Sequence, residues 1–164
     1  ALLFAGLTKA QIGVEEKYDC ATIAQLTFHE RMNEYPFNKS SRIKIISFKS
    51  ETLRIPFKGK DIDWKQIKDS VTLTISQIDS LSDILFNIGC KTNTIHFDIN
   101  YAIGIDVAIL FYSSQNLLVD YVPICFECMN FSISTEMSRQ AIGIPCNQKF
   151  EIIKSFIKTT TLKF

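Results

Sequence analysis

Cys125 and Cys128 stand three positions apart in "VPICFEC", at the end of an apolar run, and Cys146 follows them. Thiols in this pattern support three chemistries: a zinc site, a reactive dithiol, or a disulfide that staples the fold. Five cysteines are present, with Cys20 and Cys90 completing the set. An odd number leaves at least one thiol outside any internal pairing.

The zinc reading is short of ligands. A closed structural site takes four, and only Cys146 follows the C-x-x-C half, so Cys90 or His96 would have to complete it across the fold. The redox reading lacks its setting. Reactive dithiols sit at helix N-termini, whose dipole favours the thiolate. Here the pair ends a strand, and Glu127 places a negative charge between the sulfurs. The staple reading is favoured. Cys146 immediately precedes a closing helix, and a bond to Cys125 or Cys128 would tether that helix to the sheet. The loop it closes is about 17–20 residues, worth on the order of 3 kcal/mol in the chain-entropy model. Spacing does not choose the partner. In a regular strand, residues three apart face opposite ways, so one of the pair meets Cys146 and the other stays separate.

Other constellations read as structural. His29, Glu30 and Glu34 lack the second histidine of a metalloprotease helix, since position 33 is Asn. Asp61 and Asp63 flank Ile62 where carboxylates serve as caps. Lys58, Lys60 and Lys65 surround Trp64, a basic–aromatic cluster diluted by nearby Asp residues. There is no G-x-S-x-G, no glycine-rich phosphate loop and no dinucleotide fingerprint, so no cofactor and no resident metal is assigned.

The elements around these residues read as one α+β domain, an antiparallel sheet built from hairpins with helices packed on one side. "RIKIISF" (42–48) alternates as a strand, and "TLRIPF" (52–57) is read as its hairpin partner. Residues 19–35 read as a helix capped by Asp19 and stopped by Pro36, with a strand at 23–28 as the competitor. Ile62, Trp64, Ile67 and Val71 suggest another helix. The strongest helix is 77–88: Ser76 as N-cap, Asp79 at N3, a stripe of Ile78, Leu81, Leu85 and Ile88, and Gly89 beyond its end. "DVAILFYS" is too apolar for a strand with one wet face and is placed centrally. "LLVDYVPIC" returns antiparallel after a Ser113–Asn116 turn. A helix at 148–158, capped by Asn147, turns Phe150, Ile153, Phe156 and Ile157 inward.

A chain of 164 residues with 46% hydrophobic content and a formal charge of +1 suits a single soluble domain without a global field for nucleic acid. Residues 1–10, "ALLFAGLTKA", read as a signal-peptide remnant with cleavage before Gln11, leaving 11–164 as the domain. No stretch is apolar for the ~20 residues a transmembrane helix needs. An exported protein is expected, in the periplasm, the cell envelope or the medium.

"QIDSLSDILFNIG", "AILFYSSQNLLVDYVPICFEC" and "CNQKFEIIKSFI" together resemble a group of uncharacterised small exported bacterial proteins. These carry a hairpin ending in C-F-x-C and a further Cys before a closing Phe-rich helix. The resemblance covers roughly residues 70–158 and implies fold and export, with no activity attached. Members often carry another Cys just before the "AILF" strand, where this chain has Ala102. That departure counts against a shared four-thiolate site.

Two function classes follow. One is a non-catalytic binding or structural module stapled by a disulfide, with a protein or small-ligand partner in the envelope. The other is an envelope thiol–disulfide or metal-binding protein using Cys125 and Cys128, with Cys146 and Cys90 as further sulfur ligands.

Overall fold

A computed structural model of the chain describes residues 20–48, 55–58, 61–90, 107–126, 130–131 and 146–164. The expected signal remnant, Lys60, His96, Ala102 and Cys128 lie outside these residues.

The elements run β1 (Cys20–Thr22), α1 (Phe28–Met32), β2 (Arg42–Phe48), β3 (Phe57–Lys58), β4 (Asp61–Ile62), β5 (Ile67–Thr72), α2 (Ile75–Asn87), β6 (Ile88–Cys90), β7 (Val107–Tyr112), β8 (Leu118–Cys125), β9 (Asn130–Phe131) and α3 (Asn147–Thr159). The main sheet has the order β5-β2-β7-β8-β9, and every neighbouring pair is antiparallel. Separate two-stranded pairs join β1 to β6 and β3 to β4. The α+β class expected from the sequence is the one observed.

β7 is buried along its whole length because both faces of the sheet are covered. On one face Ile43, Ile45, Val107, Ile109, Phe111, Val122 and Ile124 pack against Leu81 and Leu85 of α2 and Phe150, Ile153 and Ile157 of α3. On the other, Ile46, Phe48, Ala108, Leu110 and Tyr112 pack against Ile55 and Ile62, from the β3–β4 region. Each large side chain taken out of water this way contributes about 1.5–3 kcal/mol. The described helices therefore lie on one face, and the β3–β4 region covers the other.

Both long helices stand where their apolar stripes place them, and their ends differ in detail. α2 begins two residues early. Thr74 is its N-cap, and a reciprocal capping box joins it to Gln77. That offers the hydroxyl chemistry expected of Ser76 one half-turn sooner. Gly89 is no helix cap: Ile88 turns extended at once and α2 runs straight into β6. Asn147 is the first residue of α3, and Cys146 holds the N-cap position.

Three expectations fail. Residues 20–22 form a strand, and the helix of the 19–35 segment shrinks to Phe28–Met32, with Thr27 and Glu30 forming its capping box. The 62–71 segment is a short 3-10 turn at Trp64–Gln66 followed by strand β5. Ile67, Asp69 and Val71 alternate with exposed Lys68, Ser70 and Thr72 there. The inward phase carries Asp69, whose carboxylate accepts from the Lys163 amide at 2.8 Å. The 42–48 strand pairs with β5 and β7 rather than with 52–57; of the latter segment, Phe57 pairs with Ile62. No described helix is long and apolar enough to cross a membrane.

Candidate functional site

Three cysteines and one lysine converge where the chain's first described strand meets its last helix. β6 leaves α2 without a loop, so α2 fixes its position. β1 then pairs antiparallel to it, with Cys20 directly opposite Cys90, Ala21 opposite Gly89 and Thr22 opposite Ile88. Asn87 holds the chain beyond β1. Its carbonyl accepts from Ile23 N at 2.8 Å, and its side-chain amide makes a reciprocal pair of 3.0 Å bonds with the Leu26 backbone.

Cys20 is bonded to Cys146, 126 positions away, with Cα atoms 5.4 Å apart. The separation lies within the ordinary range for a disulfide. Cys20 N also donates to Gln148 Oε1 at 3.1 Å, so the first turn of α3 grips β1 twice. This corrects the expected connectivity. Cys146 is stapled, as its position before the closing helix suggests, but to Cys20 rather than to Cys125 or Cys128. The bond ties α3 to a small outlying ladder and not to the main sheet.

Lys149 enters the cluster one turn into α3. It is fully buried, and its Nζ donates to Leu85 O at 2.9 Å and Ile88 O at 2.6 Å. These carbonyls lie at the C-terminal end of α2, where no following helical turn supplies a donor. Burial pulls the ammonium down from 10.5 to about 7, and the nearby Cys90 sulfur partly offsets that. Cys90 keeps its thiol. Burial pushes the thiol's pKa up from its ordinary value, and the Lys149 charge works the other way.

Cys125 ends β8, nearly buried, and is also in the disulfide state. Of the alternative redox or metal set, Cys146 and Cys90 are brought to one place, Cys125 stands on the main sheet, and Cys128 is outside the described residues. Cys20 was not among the expected bridge or metal residues. Its strand is three residues long, too short to carry a period, and nothing local announces a partner 126 positions away.

The remaining polar groups do structural work. Glu30 is held in the capping box by Thr27, and these hydrogen bonds lower its carboxyl pKa. Asp63 accepts from Gln66 Nε2 at 2.8 Å and from Lys65 N, which lowers its pKa likewise and makes it the cap of the 3-10 turn. Among the described residues no three His, Cys, Asp or Glu side chains are grouped to hold a metal. Lys44 rather than Lys58 or Lys65 covers the Trp64 ring, at 4.9 Å, and Phe57 packs on Tyr121. Tyr112 is buried under Arg42, and burial pushes its phenol up to about 12. A cavity of about 620 Å³ lined by Lys68, Asp69, Thr161, Lys163 and Phe164 shares no residue with the sulfur cluster.

Against protein-family models, curated proteins and solved structures, the chain finds no match.

Proposed function

We propose that the chain is an exported binding or structural module, of the kind formed by small bacterial envelope proteins, fastened by a disulfide and acting without catalysis. The observation that carries this reading is the Cys20–Cys146 bond, which joins the first described strand to the last helix. Such bonds persist in oxidising compartments and are rare where thiols are kept reduced. The absence of a membrane-spanning helix among the described residues is compatible with release or with a periplasmic address. The polar groups that chemistry would draw on, Glu30, Asp63 and Arg31, are spent on caps and on packing α1 against α2. The partner is a protein or a small ligand in that compartment, with no nucleic acid.

The test is fractionation with thiol trapping. Cells making the protein are quenched in acid, alkylated and fractionated. The expected result is protein in the exported fraction with Cys20 protected from label. Protein confined to the cytosol with Cys20 and Cys146 both labelled overturns the reading.

A second reading, a thiol–disulfide protein, is favoured by one observation: Cys90 keeps a thiol directly opposite bonded Cys20.

A further inference from the structure

We propose that Cys90, Cys20 and Cys146 form a three-sulfur exchange centre, in which the Cys90 thiol attacks Cys20 and moves the disulfide from α3 to the β1–β6 ladder. This goes beyond the staple: it makes the bond transferable.

The geometry rests on the register. Directly opposed residues of an antiparallel pair hold their Cα atoms about 4.5–5.5 Å apart, inside the Cα range of about 4.4–6.8 Å that a disulfide takes. Cys20 and Cys90 are opposed in this way. Cys20 therefore has two cysteines beside it, one bonded through the helix and one facing it across the ladder. Thiol–disulfide exchange needs a thiolate near one sulfur of an existing bond and a leaving sulfur that tolerates negative charge. Cys146 holds the N-cap position of a thirteen-residue helix, where the positive end of the helix dipole favours a thiolate. Lys149, one turn further, is the charged group of α3 that couples to Cys90. From β1, Cys20 is the residue that stands opposite Cys90 in the ladder. Titrating near neutrality, Lys149 is available both as amine and as ammonium.

The step balances without an external oxidant or reductant. Cys90 gives its proton to the Lys149 amine. The resulting thiolate attacks Cys20 Sγ, the Cys90–Cys20 bond forms, and the Cys20–Cys146 bond breaks. Cys146 leaves as a thiolate and takes up the proton. One disulfide and one thiol are present before and after. The exchange changes what is fastened: α3 is released from β1 while β1 becomes locked to β6 and, through it, to α2.

The experiment is non-reducing peptide mapping of the intact chain. Samples are equilibrated at pH 6 and pH 8.5, quenched in acid, alkylated and digested. The expected result is a Cys20–Cys90 fragment with labelled Cys146, beside the Cys20–Cys146 fragment with labelled Cys90. Interconversion should be faster at the higher pH, where more of Cys90 is thiolate. The fragment should vanish in Cys90→Ser. In Cys146→Ser, Cys20 and Cys90 should close a bridge under mild oxidation. In Lys149→Met the exchange should move to higher pH, because the cation that favours the thiolate is gone; a purely structural lysine would leave that profile unmoved. A wild-type chain that shows only Cys20–Cys146 with labelled Cys90 at both pH values overturns the proposal, whether or not the variants fold.

Discussion

Lys149 Nζ donates to the carbonyl of Ile88 at 2.6 Å, so a residue of the last helix closes the end of the middle one. Asked for a donor at that place, a sequence would offer glycine or a local basic residue. This chain supplies a buried ammonium from a helix 61 positions away.

Lys149 makes stability depend on pH near neutrality. In the unfolded chain it is protonated up to its ordinary value of 10.5, whereas in the fold it loses its proton from about pH 7. Above pH 7 the unfolded state binds more protons, so this group makes stability rise with pH, by at most about 1.4 kcal/mol per pH unit. Cys90 acts oppositely: its raised pKa makes stability fall with pH, but only from about the ordinary thiol value of 9.0 upward. Urea denaturation at pH 7.0 and 8.5 should therefore show a higher midpoint at 8.5, and Lys149→Met should flatten the difference. An equal slope in the variant would show that another group sets it.

The Cys20–Cys146 bond should be worth more than a short staple. Its span of 126 positions closes most of the chain into one loop. In the chain-entropy model a ~100-residue loop contributes about 4.7 kcal/mol, and natural bridges cost roughly 2–5 kcal/mol to remove. Cys20→Ser should lower stability by that order in denaturant titration. A loss under about 1 kcal/mol would place the bond outside the cooperative unit.

Elements with a period or a cap of their own were legible in the sequence. β2 alternates, β7 and β8 are long apolar runs parted by a turn, and α2 and α3 carry apolar stripes of several turns. β1, β3, β4 and β6 are two or three residues long, and no period fits in that length. β5 failed for another reason: Ile67 and Val71 stand at helical spacing, and a register shift in the β2–β5 ladder sends them to opposite faces of the sheet, Val71 toward the helices and Ile67 toward the β3–β4 side. Cys90 and Cys146 were legible as sulfurs with chemistry to do. Their convergence on Cys20 was not, because it depends on a ladder and a helix end far apart in the chain.

Arg31 should prove more costly to remove than either carboxylate beside it. Its guanidinium is buried and donates to Ser82 Oγ at 2.9 Å, to Leu26 O and to Asp79, with Asp83 at 3.4 Å. Asp79 and Asp83 are about half exposed, so water replaces their lost partner cheaply. Arg31→Ala strips α1 of its tie to α2 and should cost about 2–4 kcal/mol, since it leaves the inward acceptors unpaired and removes packed stem. Asp79→Asn retains Asp83 and should cost about 1 kcal/mol or less. The reverse order, read from thermal denaturation of both variants, would mean that the ion pair rather than the buried donors fastens α1.

Cys125 should map to Cys128. β8 ends at Cys125, so strand alternation no longer dictates which way the next residues point. The chain then reverses within a few residues, because Cys125 is paired with Asn130 of β9. Cys128 lies two residues before that Asn in the sequence. Cysteine arithmetic agrees: Cys125 is oxidised, Cys20 and Cys146 hold each other, Cys90 keeps a thiol, and five cysteines leave one partner. Thiol titration of the unfolded, unreduced chain should find one thiol per molecule, and digestion should return Cys125 and Cys128 unlabelled in a single peptide. A fragment joining Cys125 to Cys146 would restore the original staple and remove the leaving group on which exchange at Cys20 depends. If the Cys125–Cys128 peptide is found and opens with dilute dithiothreitol while Cys20–Cys146 stays closed, the hairpin tip holds the more accessible of two bridges, and the thiol–disulfide reading gains over the purely structural one.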